Sequence, residues 1–389
     1  MQAVPFSTTS SQKTIGKASK GFVLACFFFS TLFFYGSVGK SIAPIVNIVS
    51  PFLLFLFFTS KKGRLTKTLA RLSIFAIISI IISFVVVGGG WGSFASNLGI
   101  ILLINIFYNC KLTDSETLYF ARFLRVFHLF LLLYVIVFRY NEGYIGSFNA
   151  NSVANQALIN MVLFILIPHH RRIKQILLIA SSIAIIVYMN SRTCMGACLL
   201  VGIIWFFREF FQKRILILKL SFWVVITLSI AIPFAYSLVL GDAAQVDDIN
   251  AASAENFGKN IFTGREMIWA SAWNQLQKSP EKMLFGIGSH FDFDGREGLG
   301  SNFHSSFFTV VICCGYLGFL LISILLYKLF IKDIKYFSKN KPHALYEKML
   351  YIPIMFSGIF ESTLLIGNFA IMLYFMLCMI NSQKEAKLL

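Results

Sequence analysis

The sequence predicts an all-α integral membrane protein, a polytopic bundle of about twelve transmembrane helices with one large outer loop containing a short amphipathic helix. Three observations predict it. First, 57% of the 389 residues are hydrophobic, 13% are charged and Phe alone supplies 43. Surface-to-volume scaling leaves a soluble domain of this size too little interior for so much apolar side chain. Second, the apolar residues fall in blocks close to the roughly 20 residues that cross about 30 Å of hydrocarbon, the shorter ones needing tilt or a neighbour. Third, Lys and Arg segregate to alternate ends of these blocks.

A polar stretch with Lys13, Lys17 and Lys20 precedes the first block, 21–38, and no small-residue cleavage site follows it, so this span is expected to be an uncleaved anchor. Span 41–58 leads to Lys61-Lys62-Gly63-Arg64, Lys67 and Arg71. Spans 72–87 and 94–109 form the next pair, followed by 120–138, which opens with Arg122, Arg125 and His128 as expected headgroup contacts. Span 150–167 carries Asn151, Asn155, Gln156 and Asn160 on a polar stripe, for a lined cavity or interhelical hydrogen bonds. Spans 176–189 and 194–207 are separated by a tight polar break, and 215–235 follows the basic run Arg208 to Lys219. After the outer segment 236–304 come spans 305–327, 349–366 and 368–381. With no domain boundary or internal repeat, residues 1–389 form a single membrane domain with 236–304 inserted as its large loop.

With the N-terminus cytoplasmic, 26 of the 34 basic residues lie on the cytoplasmic side and eight outside. This puts both termini in the cytoplasm and explains the net charge of +17 without nucleic acid, for which no binding motif is present. The outer loop holds nine of the seventeen acidic residues and no cysteine. The seven cysteines lie in or at the ends of apolar blocks and are expected to be small core residues, not disulfides or metal ligands.

Three features of the outer side could carry chemistry. In the loop, Thr263-Gly264-Arg265-Glu266 has capping-box spacing, and Met267, Trp269, Ala270, Trp273 and Leu276 then recur at helical period. Such a helix lies on the membrane surface or packs over the spans. Its start offers backbone N–H groups beside Arg265, a setting suited to phosphate. Arg192, in Met189-Asn190-Ser191-Arg192-Thr193, sits at the membrane boundary, where an arginine needs a partner. His304 opens a span; Gly315, eleven residues on, is expected on nearly the same helix face, with Gly318 beyond it. A histidine there is suited to general-base work. Glu361, inside the span 349–366, is a further candidate for substrate binding or for pairing with an arginine. Asp292-Phe293-Asp294 resembles a metal-bound sugar-nucleotide site, but sugar nucleotides are cytoplasmic and the loop is outside, so it reads as a solvated acidic turn.

Taken in order, Ser191-Arg192-Thr193, Gly264-Arg265-Glu266 with Trp269, Leu284-Phe285-Gly286-Ile287-Gly288, and His304-Ser305 followed by Gly315-Tyr316-Leu317-Gly318 resemble the O-antigen polymerase and O-antigen ligase superfamily of membrane glycosyltransferases. The closest match runs from about 263 to 318. The resemblance implies a bacterial inner-membrane enzyme with a periplasmic active site. Its donor would be an undecaprenyl-pyrophosphate-linked glycan and its acceptor a second glycan lipid. Transfer would be inverting and metal-independent, with no cofactor. Arg192 and Arg265 would bind the pyrophosphate, His304 would be the catalytic base, and Gly286 and Gly288 would shape the loop. A polymerase, working with a chain-length-regulating co-polymerase, is favoured by the Phe-rich chain and the Phe360-Glu361-Ser362 span. The alternative is a ligase that transfers the polymer to lipid A-core. A transporter or flippase of lipid-linked sugars also fits twelve spans, but no half-to-half repeat is evident.

Overall fold

The computed structural model describes residues 66–87, 91–110, 112, 114–138, 140–141, 144–145, 148–167, 172–239, 265–288, 305–361 and 368–382. The expected spans 21–38 and 41–58, Thr263, His304 and Asp292-Phe293-Asp294 lie outside the described residues. The first helices are α1 (Lys67–Val87), α2 (Trp91–Asn109) and α3 (Asp114–Val137). Three two-residue strands follow, β1 (Tyr140–Asn141), β2 (Tyr144–Ile145) and β3 (Phe148–Asn149), paired antiparallel in chain order with Tyr140 opposite Ile145 and Tyr144 opposite Asn149. Tyr134 Oη donates to the Ile145 carbonyl (2.9 Å) and ties this small sheet to α3.

Next come α4 (Ala150–Leu166), α5 (Arg172–Tyr188), α6 (Arg192–Phe206), the single turn α7 (Arg208–Phe211) and α8 (Ile215–Val239). Two helices from the expected outer loop follow, α9 (Arg265–Leu276) and α10 (Pro280–Phe285). The remainder is α11 (Ser306–Phe330), α12 (Ile334–Asn340), α13 (His343–Met349), α14 (Tyr351–Ser357) and α15 (Asn368–Ser382). The stretches Lys67–Val86, Phe120–Val137, Ile215–Tyr236 and Ser306–Asn340 are long and apolar enough to cross a membrane, and shorter apolar helices accompany them. Large apolar side chains face outward: Phe75, Val85, Phe130, Ile136, Leu177, Leu199, Phe206 and Leu238 are all exposed. Asn155, Gln156, Asn160 and His128 are buried instead. An apolar exterior around a polar seam is the arrangement that hydrocarbon surroundings favour.

Among the described residues, most expected spans coincide with helices to within a few residues. The span expected over 349–366 does not form one helix. Its helical part, α14, ends at Ser357, and Gly358 to Phe360 form a turn. Glu361 therefore lies in irregular backbone and not within a helix.

The other departure is inside α11. Gly315 has φ 66° and ψ −175°, far from helical values, so α11 is two half-helices. The shared face expected for His304 and Gly315 involves His304, which lies outside the described residues; among the described residues the helix breaks at Gly315 itself. A break frees backbone carbonyls, which in apolar surroundings must find donors. The Ile312 carbonyl accepts from Ile287 N (2.7 Å) and the Cys313 carbonyl accepts from Ser83 Oγ of α1 (2.8 Å).

The Ile287 contact comes from the chain just after α10, where Gly286 and Gly288 also have positive φ (88° and 73°). A Cβ on Gly286 would stand 2.6 Å from the Cys313 carbonyl, and one on Gly315 would stand 2.3 Å from the Leu284 carbonyl oxygen. The two glycine segments are interlocked backbone to backbone.

The pair α9–α10 is inserted among the spans. Trp269 is 1% exposed, and Ala272, Trp273 and Leu276 are buried with it. Trp269 packs against Tyr236 and Phe308, whereas Trp273, one turn on, packs against Phe234, Phe308 and Tyr316. α9 therefore descends antiparallel to α8 and parallel to α11. This decides between the two placements expected for the helix: its tryptophans are covered by spans.

At the opposite end of the bundle, Lys348 is fully buried, with Nζ donating to the Phe330 carbonyl (2.7 Å) and to Asn381 Oδ1 (2.5 Å). This amino donor pairs the last carbonyl of α11, which has no partner within the helix. We expect Lys348→Met to leave those acceptors unpaired and to lower stability by about 1–3 kcal/mol. We expect Gly315→Ala, which is both strained and crowded, to cost about 2–5 kcal/mol. Gly202→Ala, with nothing within 4 Å of the added methyl, should change stability by no more than about 1 kcal/mol. Thermal unfolding of the three variants in detergent measures all of these.

Candidate active site

The site is built on helix starts gathered at one end of the bundle. α4, α6, α9 and α11 all begin there, as their packing shows. Each helix start carries unpaired N–H groups and the positive end of the helix dipole.

α5 and α6 meet in a hairpin closed by Met189, Asn190 and Ser191, with Asn190 in the left-handed region (φ 50°). Asparagine tolerates that conformation better than most residues, so the polar break is a turn too tight to wander. Ser191 precedes the helix, its carbonyl accepts from Met195 N (2.9 Å), and Arg192 is the first helical residue. The Arg192 side chain is exposed.

One turn into α6, Cys194 Sγ donates to Asn155 Oδ1 (3.4 Å), which joins α6 to α4. Glu361 is an electrostatic neighbour of the same Cys194 and is only 7% exposed. The Glu361 carbonyl in turn accepts from Ser306 N (3.0 Å) and Ser306 Oγ (2.7 Å) at the start of α11. Ser306 N is shared with the Gly358 carbonyl (3.0 Å), and Ser305 Oγ caps the helix by accepting from Phe308 N (3.3 Å). The irregular segment after α14 thus lies between the Arg192 hairpin and the helix that follows His304 in the chain.

Arg265 is the first residue of α9, as the capping pattern predicts to within a residue. Four residues on, Trp269 meets Phe308, their ring centres 6.1 Å apart. Phe308 is itself one turn into α11, so the starts of α9 and α11 stand at a common level. The structure therefore brings the starts of the helices bearing Arg192 and Arg265 to the end where α11 begins, with Glu361 between α6 and α11.

The polar stripe of α4 divides in two. Asn155 faces α6 and the site. Deeper, Gln156 Nε2 donates to Asn160 Oδ1 (2.8 Å), and Asn160 Nδ2 lies 3.3 Å from His128 Nδ1. His128 Nε2 is 2.9 Å from Ser181 Oγ, and Phe164 packs edge-on against the ring. His128 is wholly buried, so it does not contact lipid headgroups as expected from Arg122 and Arg125 nearby. Its helical phase is the signal that shows this: it shares a stripe with Leu124, Leu131 and Val135, all buried. The joining role of Ser306 and Cys194 had no comparable signal.

The described cysteines are unpaired by disulfides and mostly buried, as expected. We expect His128→Leu to leave Asn160 Nδ2 without its ring acceptor and to lower stability by about 1–3 kcal/mol, while the turnover of the folded fraction stays unchanged. Unfolding midpoint and activity, measured on the same preparation, check both halves.

Among curated proteins, none matches the chain. A family model described as O-antigen ligase matches residues 176–323, the stretch from α5 to the second half of α11 that contains Arg192, Arg265, His304 and both glycine segments. Over that stretch, less than half of its length, the chain is similar to the O-antigen ligase family.

Proposed function

We propose that this protein is an O-antigen polymerase that joins undecaprenyl-pyrophosphate-linked repeat units at the periplasmic face of the bacterial inner membrane. The observation that carries the proposal is the meeting of α6, α11 and the Glu361 segment at one end of the bundle, with Arg192 heading α6. The charge pattern supports the side, since the spans expected from the sequence put 26 of the 34 basic residues on the opposite face.

In the mechanism, His304 accepts the proton of the acceptor sugar hydroxyl as its oxygen attacks the anomeric carbon of the donor. The bond from that carbon to the pyrophosphate oxygen breaks, configuration inverts, and the lipid pyrophosphate departs with the electron pair. Arg192 and Arg265, each at the positive start of a helix, hold the pyrophosphate and stabilise its growing charge. Glu361 holds the start of α11 through its carbonyl, and its carboxylate balances the cations of the site. α9 carries Arg265 at its start and packs against the start of α11 through Trp269 and Phe308. A co-polymerase sets chain length.

A ligase would use the same chemistry with lipid A-core as acceptor, and the description of the matching family names that activity. Deleting the gene in its host and resolving the lipopolysaccharide on a gel separates the two. We expect core bearing a single repeat unit and no ladder. Bare core, with long polymer retained on the lipid carrier, would make the protein a ligase, and an unchanged ladder would exclude both. We expect plasmid-borne His304→Ala not to restore the ladder, and Arg192→Ala and Arg265→Ala to reduce it by on the order of a hundredfold or more in transfer rate.

A further inference from the structure

One face of α6 is an apolar groove with a glycine floor. Ile183, Ile186 and Val187 of α5 form one wall, and Met195, Leu199 and Phe206 of α6 form the other, enclosing about 560 Å³. Gly202 lies in its lining, and a Cβ there would meet nothing within 4 Å. The groove follows one stripe of α6. Arg192, Met195, Leu199, Gly202 and Phe206 are spaced three or four residues apart, so they share a helix face. The stripe therefore has an exposed cation at its head and only apolar groups below it. From Met195 to Phe206 it runs about 16 Å along the helix, roughly half the hydrocarbon depth of a bilayer.

We propose that this groove holds the head-proximal isoprenoid units of the lipid carrier whose pyrophosphate Arg192 binds. The proposal rests on the polymerase reading and extends it to the lipid tail. Its occupant is a polyprenyl chain, because the groove begins one turn below the arginine at the head of the same face. A pyrophosphate held there delivers its own chain to Met195 and Leu199. An anion and a chain in this order are what the carrier presents. The missing side chain at Gly202 leaves room for the methyl branches of that chain.

The test uses the full-length protein in phospholipid vesicles. A polyprenyl pyrophosphate bearing a benzophenone near its head group is photolysed, and labelled peptides are mapped. Transfer is measured in parallel with two donors carrying the same glycan, one on undecaprenyl pyrophosphate and one on a two-isoprene pyrophosphate. We expect labelling of the α5–α6 groove that unlabelled polyprenyl pyrophosphate competes away and excess phosphatidylglycerol does not. We expect Gly202→Phe to abolish that labelling and to raise KM for the long-chain donor about tenfold, with kcat and the short-chain donor unchanged. Leu220→Phe, on the exposed face of α8, should change neither. Labelling elsewhere, competition by phosphatidylglycerol, or equal effects of Gly202→Phe on both donors would overturn the groove. So would no effect of Gly202→Phe on either donor. Groove labelling without transfer by the unaltered protein would instead overturn the polymerase reading and leave the groove standing.

Discussion

The rest of this structure depends on how the break in α11 is paired. An unpaired carbonyl in apolar surroundings costs several kcal/mol, so a span can open at Gly315 only where donors are waiting. Ile287 N and Ser83 Oγ supply them. The donor from Ile287 can come close because residues 286 and 315 lack side chains, and both adopt positive φ. Fixing α10 against the break also fixes α9, which carries Arg265 at its start, against α11. The relative position of two of the helix starts is thus decided by a backbone contact well below them.

Two kinds of buried polar group serve two ends. Around Asn155, Cys194, Glu361 and Ser306, hydrogen bonds and charge join elements distant in sequence at the end where the candidate residues cluster. Around Gln156, Asn160, His128 and Ser181, they hold three spans in register within the bundle. Interhelical bonds of this kind contribute modestly, on the order of 0.6 kcal/mol each in membrane proteins, but each also forbids rotations that would expose a polar group to hydrocarbon. Lys348 at the far end does the same for α11 and α15 through its two hydrogen bonds.

Much of the span pattern is legible in the sequence because hydropathy and the length of the hydrocarbon leave few alternatives. The starts of α6 and α9 were equally legible, since Ser191-Arg192 and Gly264-Arg265 interrupt apolar periodicity with polar residues. The break at Gly315 was not. Cys313, Cys314, Gly315 and Tyr316 continue an apolar run without change, and a glycine within a span is common. Only the partner segment around Gly286, 29 residues earlier in the chain, distinguishes a broken helix from a whole one. Glu361 was misplaced for a related reason: Phe356 to Phe360 is as apolar as a helix, yet its backbone turns to meet Ser306. His128 could have been assigned from phase, but the nearby Arg122 and Arg125 drew it toward the headgroups.

The interlock also constrains how the chain is made. Ser83 is 230 residues ahead of its partner, Cys313. During synthesis α1 is in place long before the carbonyl it must serve exists, and α10 emerges before the helix it must clasp. Until α11 has left the insertion machinery, neither glycine segment has its counterpart, and α9 and α10 are held by the packing of α9 on α8. Biogenesis therefore includes a step of tertiary closure that becomes possible only once α11 is inserted. A chain that stalls before Gly315 would hold the right helices in the bilayer and lack the geometry that brings their ends together.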